Sequence, residues 1–116
     1  MLTSLEQIYQ ILSGVLPGKV TYGTNVVNDD QSDVLPFIVY QEISKRAVTY
    51  ADNAAAIRIA TFQINLVTTD KNPTLEALLE EALYLNGLEF QMITEYMNDD
   101  GSVNRVYEIK MEESTL

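Results

Sequence analysis

The chain opens on apolar residues that recur every three or four positions. Leu2, Leu5, Ile8, Tyr9 and Leu12 fall on one stripe, which predicts an amphipathic helix. Thr3 with Glu6, or Ser4 with Gln7, supplies a capping start, and Gly14 followed by Pro17-Gly18 supplies a stop. Residues 19–23 are rich in β-formers and predict a short strand; residues 25–33 predict a polar, acidic loop. Residues 37–43 are apolar on both parities at their start, which suits a central strand covered on both sides, with Pro36 tolerated at its edge. Residues 44–55 read as a strand edge or a mobile loop. Residues 56–69 form the longest strand candidate, and its pattern changes halfway. Ala60, Phe62, Ile64 and Leu66 share one face, whereas Ile57 and Ile59 are apolar on the other. A period of two does this only with a bulge or a second buried surface.

The second helix has the clearest boundaries. Asn72 caps it, Pro73 occupies its first position, and Gly87 ends it. Leu75, Leu78, Leu79, Ala82 and Leu85 make its expected buried stripe, with Glu76, Glu80 and Glu81 toward water. Phe90, Met92, Thr94 and Tyr96 then alternate with polar positions, Asp99-Asp100-Gly101-Ser102 makes a hairpin turn, and Val103, Arg105, Tyr107, Ile109 and Met111 return on the same alternation. Residues 112–116 read as a frayed tail. The expected order is α-β-β-β-α-β-β, an α+β domain over residues 1–116. Its sheet is largely antiparallel, with four to five strands and both helices on one face.

Composition narrows the function. Seven Lys and Arg against 17 Asp and Glu give a net charge of −10, which repels nucleic-acid backbones and argues against a sequence-reading nucleic-acid binder. Neither Cys nor His occurs, so disulfides, thiolate nucleophiles, imidazole ligands and Ser-His-Asp triads are all excluded. The start of the chain lacks the basic segment and apolar run of a signal peptide, and no apolar stretch approaches the ~20 residues of a membrane helix. The expectation is a soluble protein made in a reducing compartment.

Candidate chemistry is sparse. Asp29, Asp30 and Asp33 share a loop and could hold Ca²⁺, but a solvated turn is the commoner use of such a cluster. Around Asp99 the calcium-loop template fails, because Tyr96 and Tyr107 stand where ligands are required. Glu76, Glu80 and Glu81 lie opposite the expected apolar stripe, where no desolvated pocket raises a carboxyl pKa. Lys45, next to Arg46 in a polar stretch, has no apolar surroundings to activate it as a nucleophile. The expectation is therefore no enzyme, no cofactor and no metal. What remains is a surface. Lys45, Arg46 and Arg58 flank the segment around Tyr50, and Ile57 and Ile59 are apolar beside it. In so acidic a chain this combination predicts a protein–protein contact. A second copy would answer it with acidic residues, for example those of the 25–33 loop, and repetition head to tail closes a ring.

The run Leu35-Pro36-Phe37-Ile38-Val39-Tyr40-Gln41 resembles the second-strand signature of the tail-terminator and tail-completion proteins of long, non-contractile-tailed phages and prophages. Tyr50-Ala51-Asp52-Asn53, the strand ending Phe62-Gln63-Ile64-Asn65-Leu66-Val67-Thr68 and the acidic second helix extend the likeness over most of the chain. The resemblance implies an α+β virion protein of the tail, present in the host cytoplasm during assembly. Such proteins form a ring, usually a hexamer, on the last ring of the tail-tube protein, stop tube growth and offer a surface to the head connector protein. Six copies would carry about −60, and an acidic bore lets DNA slide without sticking. Small head–tail connectors share this size and acidity. An acidic adaptor mimicking DNA is the remaining alternative.

Overall fold

In the computed structural model the described residues are 3–23, 35–51 and 54–114. Leu2, the acidic loop with Asp29, Asp30 and Asp33, and the Asp52-Asn53 pair lie outside them. The element order is α1 (Ser4–Val15), β1 (Val20–Tyr22), β2 (Phe37–Ala51), β3 (Ala54–Thr68), α2 (Pro73–Leu85), β4 (Glu89–Met97) and β5 (Val103–Ser114). The five strands form one sheet in the order β1-β2-β3-β5-β4. Only the β1–β2 pairing is parallel. This is the α+β architecture that the pattern predicts.

Both helices begin as their caps dictate. The Glu6 N–H donates to Thr3 Oγ1 at 3.2 Å, and the Leu75 N–H donates to Asn72 Oδ1 at 3.1 Å. Each then lays a stripe on one face of the sheet. Ile8 and Leu12 of α1 and Leu75, Leu79 and Leu83 of α2 pack against Ile38 and Tyr40 of β2, Phe62, Ile64 and Leu66 of β3, and Tyr107, Ile109 and Met111 of β5. Ten of these side chains are fully buried. At roughly 1.5–3 kcal/mol for each large apolar side chain removed from water, this layer dominates the stability of the domain.

The predicted stripes are rotated from the observed ones. In α1, Leu5 and Tyr9 are partly exposed because the contact centres on Ser4, Ile8 and Leu12. In α2, Leu83 is buried, while Leu78 and Leu85 are 51% and 71% exposed. Glu76 does not face water; it is 7% exposed. β2 is twice its expected length and absorbs part of the segment read as an edge or loop. Residues 112–114 of the expected tail are strand, since Ser114, Glu113 and Glu112 pair with Ile57, Arg58 and Ile59.

The halfway change in β3 has a clear origin. Against β5 its register runs unbroken from Ile57 to Thr68, so no bulge interrupts its alternation there. Ile57 and Ile59 therefore lie on the face opposite Ala60 and Phe62, the face without helices. Bulges occur elsewhere: β2 shifts register between Glu42 and Ser44 and again near Val48, and β4 shifts between Met92 and Thr94. The β4 shift breaks the expected alternation, leaving Phe90 and Met92 on the helix side and Thr94 and Tyr96 on the open side. The β4–β5 turn is as predicted. Gly101 takes φ +89°, and Asp100 Oδ1 accepts from the Ser102 N–H at 2.9 Å and from its hydroxyl at 2.6 Å.

Candidate interaction surface

β2 and β3 continue past the helix-covered layer as a two-stranded arm. Among the described side chains, no core residue lies between positions 47 and 58. The arm stretches the molecule to 53 × 27 × 24 Å, with a radius of gyration of 15.5 Å against about 13 Å for a compact chain of this length.

The residues predicted for a contact lie on this arm or at its base, and those with described side chains fall on both faces. Arg46 is the register partner of Ile59, and both, with Ile57, lie on the open side. Lys45, opposite Ala60, and Arg58, opposite Ala47 and Glu113, lie on the helix side. Tyr50 pairs through its backbone with Ala55 near the tip. The structure thus brings the six together along one hairpin, with Arg46, Ile57 and Ile59 on one face and Lys45 and Arg58 on the other.

Lys45 is not a free cation. Its Nζ lies 3.0 Å from Glu113 Oε1 and 3.6 Å from Glu42 Oε2. Glu113 also accepts from the Ser4 hydroxyl and, at 3.3 Å, from the Ser4 N–H in the first turn of α1. The Ser4 hydroxyl, the Lys45 ammonium and the helix N-terminus hold the Glu113 carboxyl below its ordinary range, although burial opposes this. The bond to Glu113 correspondingly raises Lys45. These contacts pin the base of the arm to α1. Arg46, by contrast, is exposed and has no acidic partner among the described residues.

At the far end of the sheet a second charged cluster joins α2 to β4 and β5. Lys71 Nζ is 2.8 Å from both Glu76 Oε1 and Glu95 Oε1. Arg105 reaches Glu95 at 2.9 Å, Glu80 at 3.2 Å and Glu76 at 3.7 Å. Its Nε donates to the Tyr107 hydroxyl at 2.6 Å, and that hydroxyl donates to Glu80 Oε2 at 2.7 Å. Burial is the largest influence on Arg105 and disfavours its charge; the bonds to Tyr107 and Glu95 prevail and raise its pKa. For Tyr107, burial followed by the bond to Glu80 raises the phenol above its ordinary range. Of the expected solvated glutamate face, Glu76 and Glu80 thus belong to a structural ion-pair network while Glu81 is exposed as expected; the signal was Arg105 standing within an otherwise apolar alternation.

A groove of ≈ 740 Å³ runs between α1 and α2, lined mainly by Ile11, Val15, Leu78, Ala82, Leu85 and Leu88. Its only ionisable lining residue is Glu81, so no general acid–base pair is assembled there. Among the described residues no group of three or more Asp or Glu side chains is arranged to hold a metal ion. No described helix is long and apolar enough to cross a membrane.

Sequence reasoning missed the sheet edges. Among the described residues, β1 covers β2 only from Ile38 to Tyr40, so the β2 edge from residue 41 onward has no strand partner. The outer edge of β4 is likewise unpaired over its nine residues. Exposed apolar side chains mark both edges: Ile43 and Val48 on β2, and Met92, Ile93, Tyr96 and Met97 on β4. Apolar residues on both parities of residues 92–97 were the available signal.

Fold and surface together define a small α+β domain with an extended β-arm and two sheet edges that are unpaired among the described residues. A scan of protein-family models finds no match for the chain, and a comparison with curated proteins finds none either.

Proposed function

We propose that this protein is a structural assembly factor of a long-tailed phage or prophage. It caps the tail tube as a ring of its own copies, ends tube polymerisation and readies the tail for the head connector. The observation that carries this reading is the arm. An isolated two-stranded ribbon is marginally stable in water, and this one carries exposed Val48 and half-buried Ile57 and Arg58 beyond the helix-covered core of the described residues. Such an element gains its stability from a neighbour. The net charge of −10 supports the same reading, because a ring around a DNA path must not bind DNA.

Deletion of the gene from its phage, with lysates viewed by electron microscopy, is the test. Overlong, headless tubes are expected. Normal particles would overturn the assignment, and tails of correct length that fail to join heads would replace it with a head–tail connector.

A further inference from the structure

We infer that the open β4 edge of one copy pairs antiparallel with the open β2 edge of a second copy, carrying a single sheet from subunit to subunit. The contact deepens the proposed self-assembly and rests on it.

Three independent features select one register. The first is charge. β2 carries Lys45 and Arg46 at its edge, whereas β4 carries Glu89 and Glu95. Arg46 and Glu89 are exposed, lie on the helix-free face of the sheet and have no charge partner among the described residues; Glu95 is already held by Lys71 and Arg105. Setting Arg46 opposite Glu89 pairs residues 41–46 with residues 94–89 of the next copy. That overlap ends at Gln41, one residue beyond Tyr40, where β1 takes over the edge of β2.

The second feature is the pair of bulges. Side chains directly opposite one another in a sheet must share a face. In this register Arg46, Ser44 and Gln41 meet Glu89, Gln91 and Thr94, all on the helix-free side, and Lys45 meets Phe90 on the helix side. The match holds at both ends because the bulge at Ile43 and the bulge at Ile93 fall beside each other. Either bulge alone would put one end of the contact out of phase. The outward Glu42 N–H, which donates to the Tyr22 hydroxyl at 3.3 Å, lies at this paired bulge, where the ladder is interrupted in any case.

The third feature is apolar surface. Ile43 and Met92, 45% and 42% exposed, stand opposite each other, with Ile93 at 48% beside them. No like charges meet anywhere in the overlap. A head-to-tail contact of this kind repeats, and it closes when the strand tilt suits the number of copies.

The chain contains no cysteine, so the register can be read by cross-linking. A Ser44→Cys, Gln91→Cys chain, oxidised at millimolar concentration, is expected to give a ladder of covalent oligomers. Mixing the two single variants should give one cross-linked dimer. Ser44→Cys with Met92→Cys, one position out of phase and on the other face, should give little. Arg46→Glu or Glu89→Arg alone should lower the Ser44–Gln91 yield about three- to tenfold, and the two reversals together should restore it. Absence of the ladder, equal cross-linking from the out-of-phase pair, or yields indifferent to the single reversals would overturn the contact. Cross-linking reads the contact and the deletion phenotype reads the task. Overlong tails without a ladder would therefore remove only this interface, and a ladder with normal tails only the assigned function.

Discussion

The Tyr107 hydroxyl donates to Glu80 Oε2 at 2.7 Å, which fastens the outer side of α2 to the buried middle of β5. The same oxygen accepts from Arg105 Nε, so one phenol organises a cation and an anion at the edge of the core. Tyr107→Phe keeps the packed ring and removes both bonds. Loss of a hydrogen bond to charged partners destabilises by about 1.5–3 kcal/mol. Chemical denaturation should show a loss in that range with an unchanged slope, and the thermal midpoint should fall by several degrees. A loss below about 0.5 kcal/mol would mean that water replaces the pair without cost.

Glu113 makes stability depend on acid. The Ser4 hydroxyl and Lys45 lower its pKa in the folded chain, so the folded state binds this proton less readily than the unfolded one. The stabilisation is complete above the ordinary carboxyl value of 4.5 and is lost as pH falls through the depressed folded value. Relief of the −10 net charge by acid runs in the opposite direction, so the informative quantity is a difference. Wild type should exceed Glu113→Gln in unfolding free energy at pH 7, and the gap should narrow steadily below pH 4.5. A gap constant from pH 7 to pH 3 would assign the effect to packing.

Within α2, Leu83 and Leu85 separate the expected face from the observed one. Leu83→Ala should cost about 2–5 kcal/mol, because the side chain is fully buried against the sheet. Leu85→Ala should cost under about 0.5 kcal/mol, because its side chain is 71% exposed. Urea titrations of the two variants decide it, and comparable losses would restore the predicted stripe.

The reason the stripe was misplaced also shows what a sequence conveys here. Caps, turn glycine and the order of elements along the chain were legible, because Thr3, Asn72, Pro73 and Gly101 act through local geometry. The helix face was not, because Glu76 occupies a position where periodicity expects a leucine. Only Lys71 and Arg105, distant in sequence from each other, make its burial tolerable. The faces of the residues expected at a contact were partly legible. The parity of Ile57 and Ile59 sets them on the side of the sheet opposite Ala60 and Phe62, but the bulges at Ile43 and Ile93 that set the faces of the edges arise from strand pairing. Composition does not carry that.

The arm gives the last expectation, since it separates folding from assembly. Arg46 and Ile59 are register partners at its base, and a two-residue Asn-Gly turn between them would close the hairpin with the twist such strands prefer. The shortened chain lacks residues 47–58 and keeps every core residue found among the described side chains. It should unfold cooperatively, with a far-ultraviolet spectrum like that of the full chain and a midpoint within a few degrees of it. In the phage it should not complement the deletion, because Tyr50, Ile57 and Arg58 leave with the arm. Full complementation would show that the arm is dispensable and would confine any assembly contact to the β2 and β4 edges below it. Failure to fold would show that the ribbon stabilises the domain that carries it, contrary to the separation of arm and core in the packing.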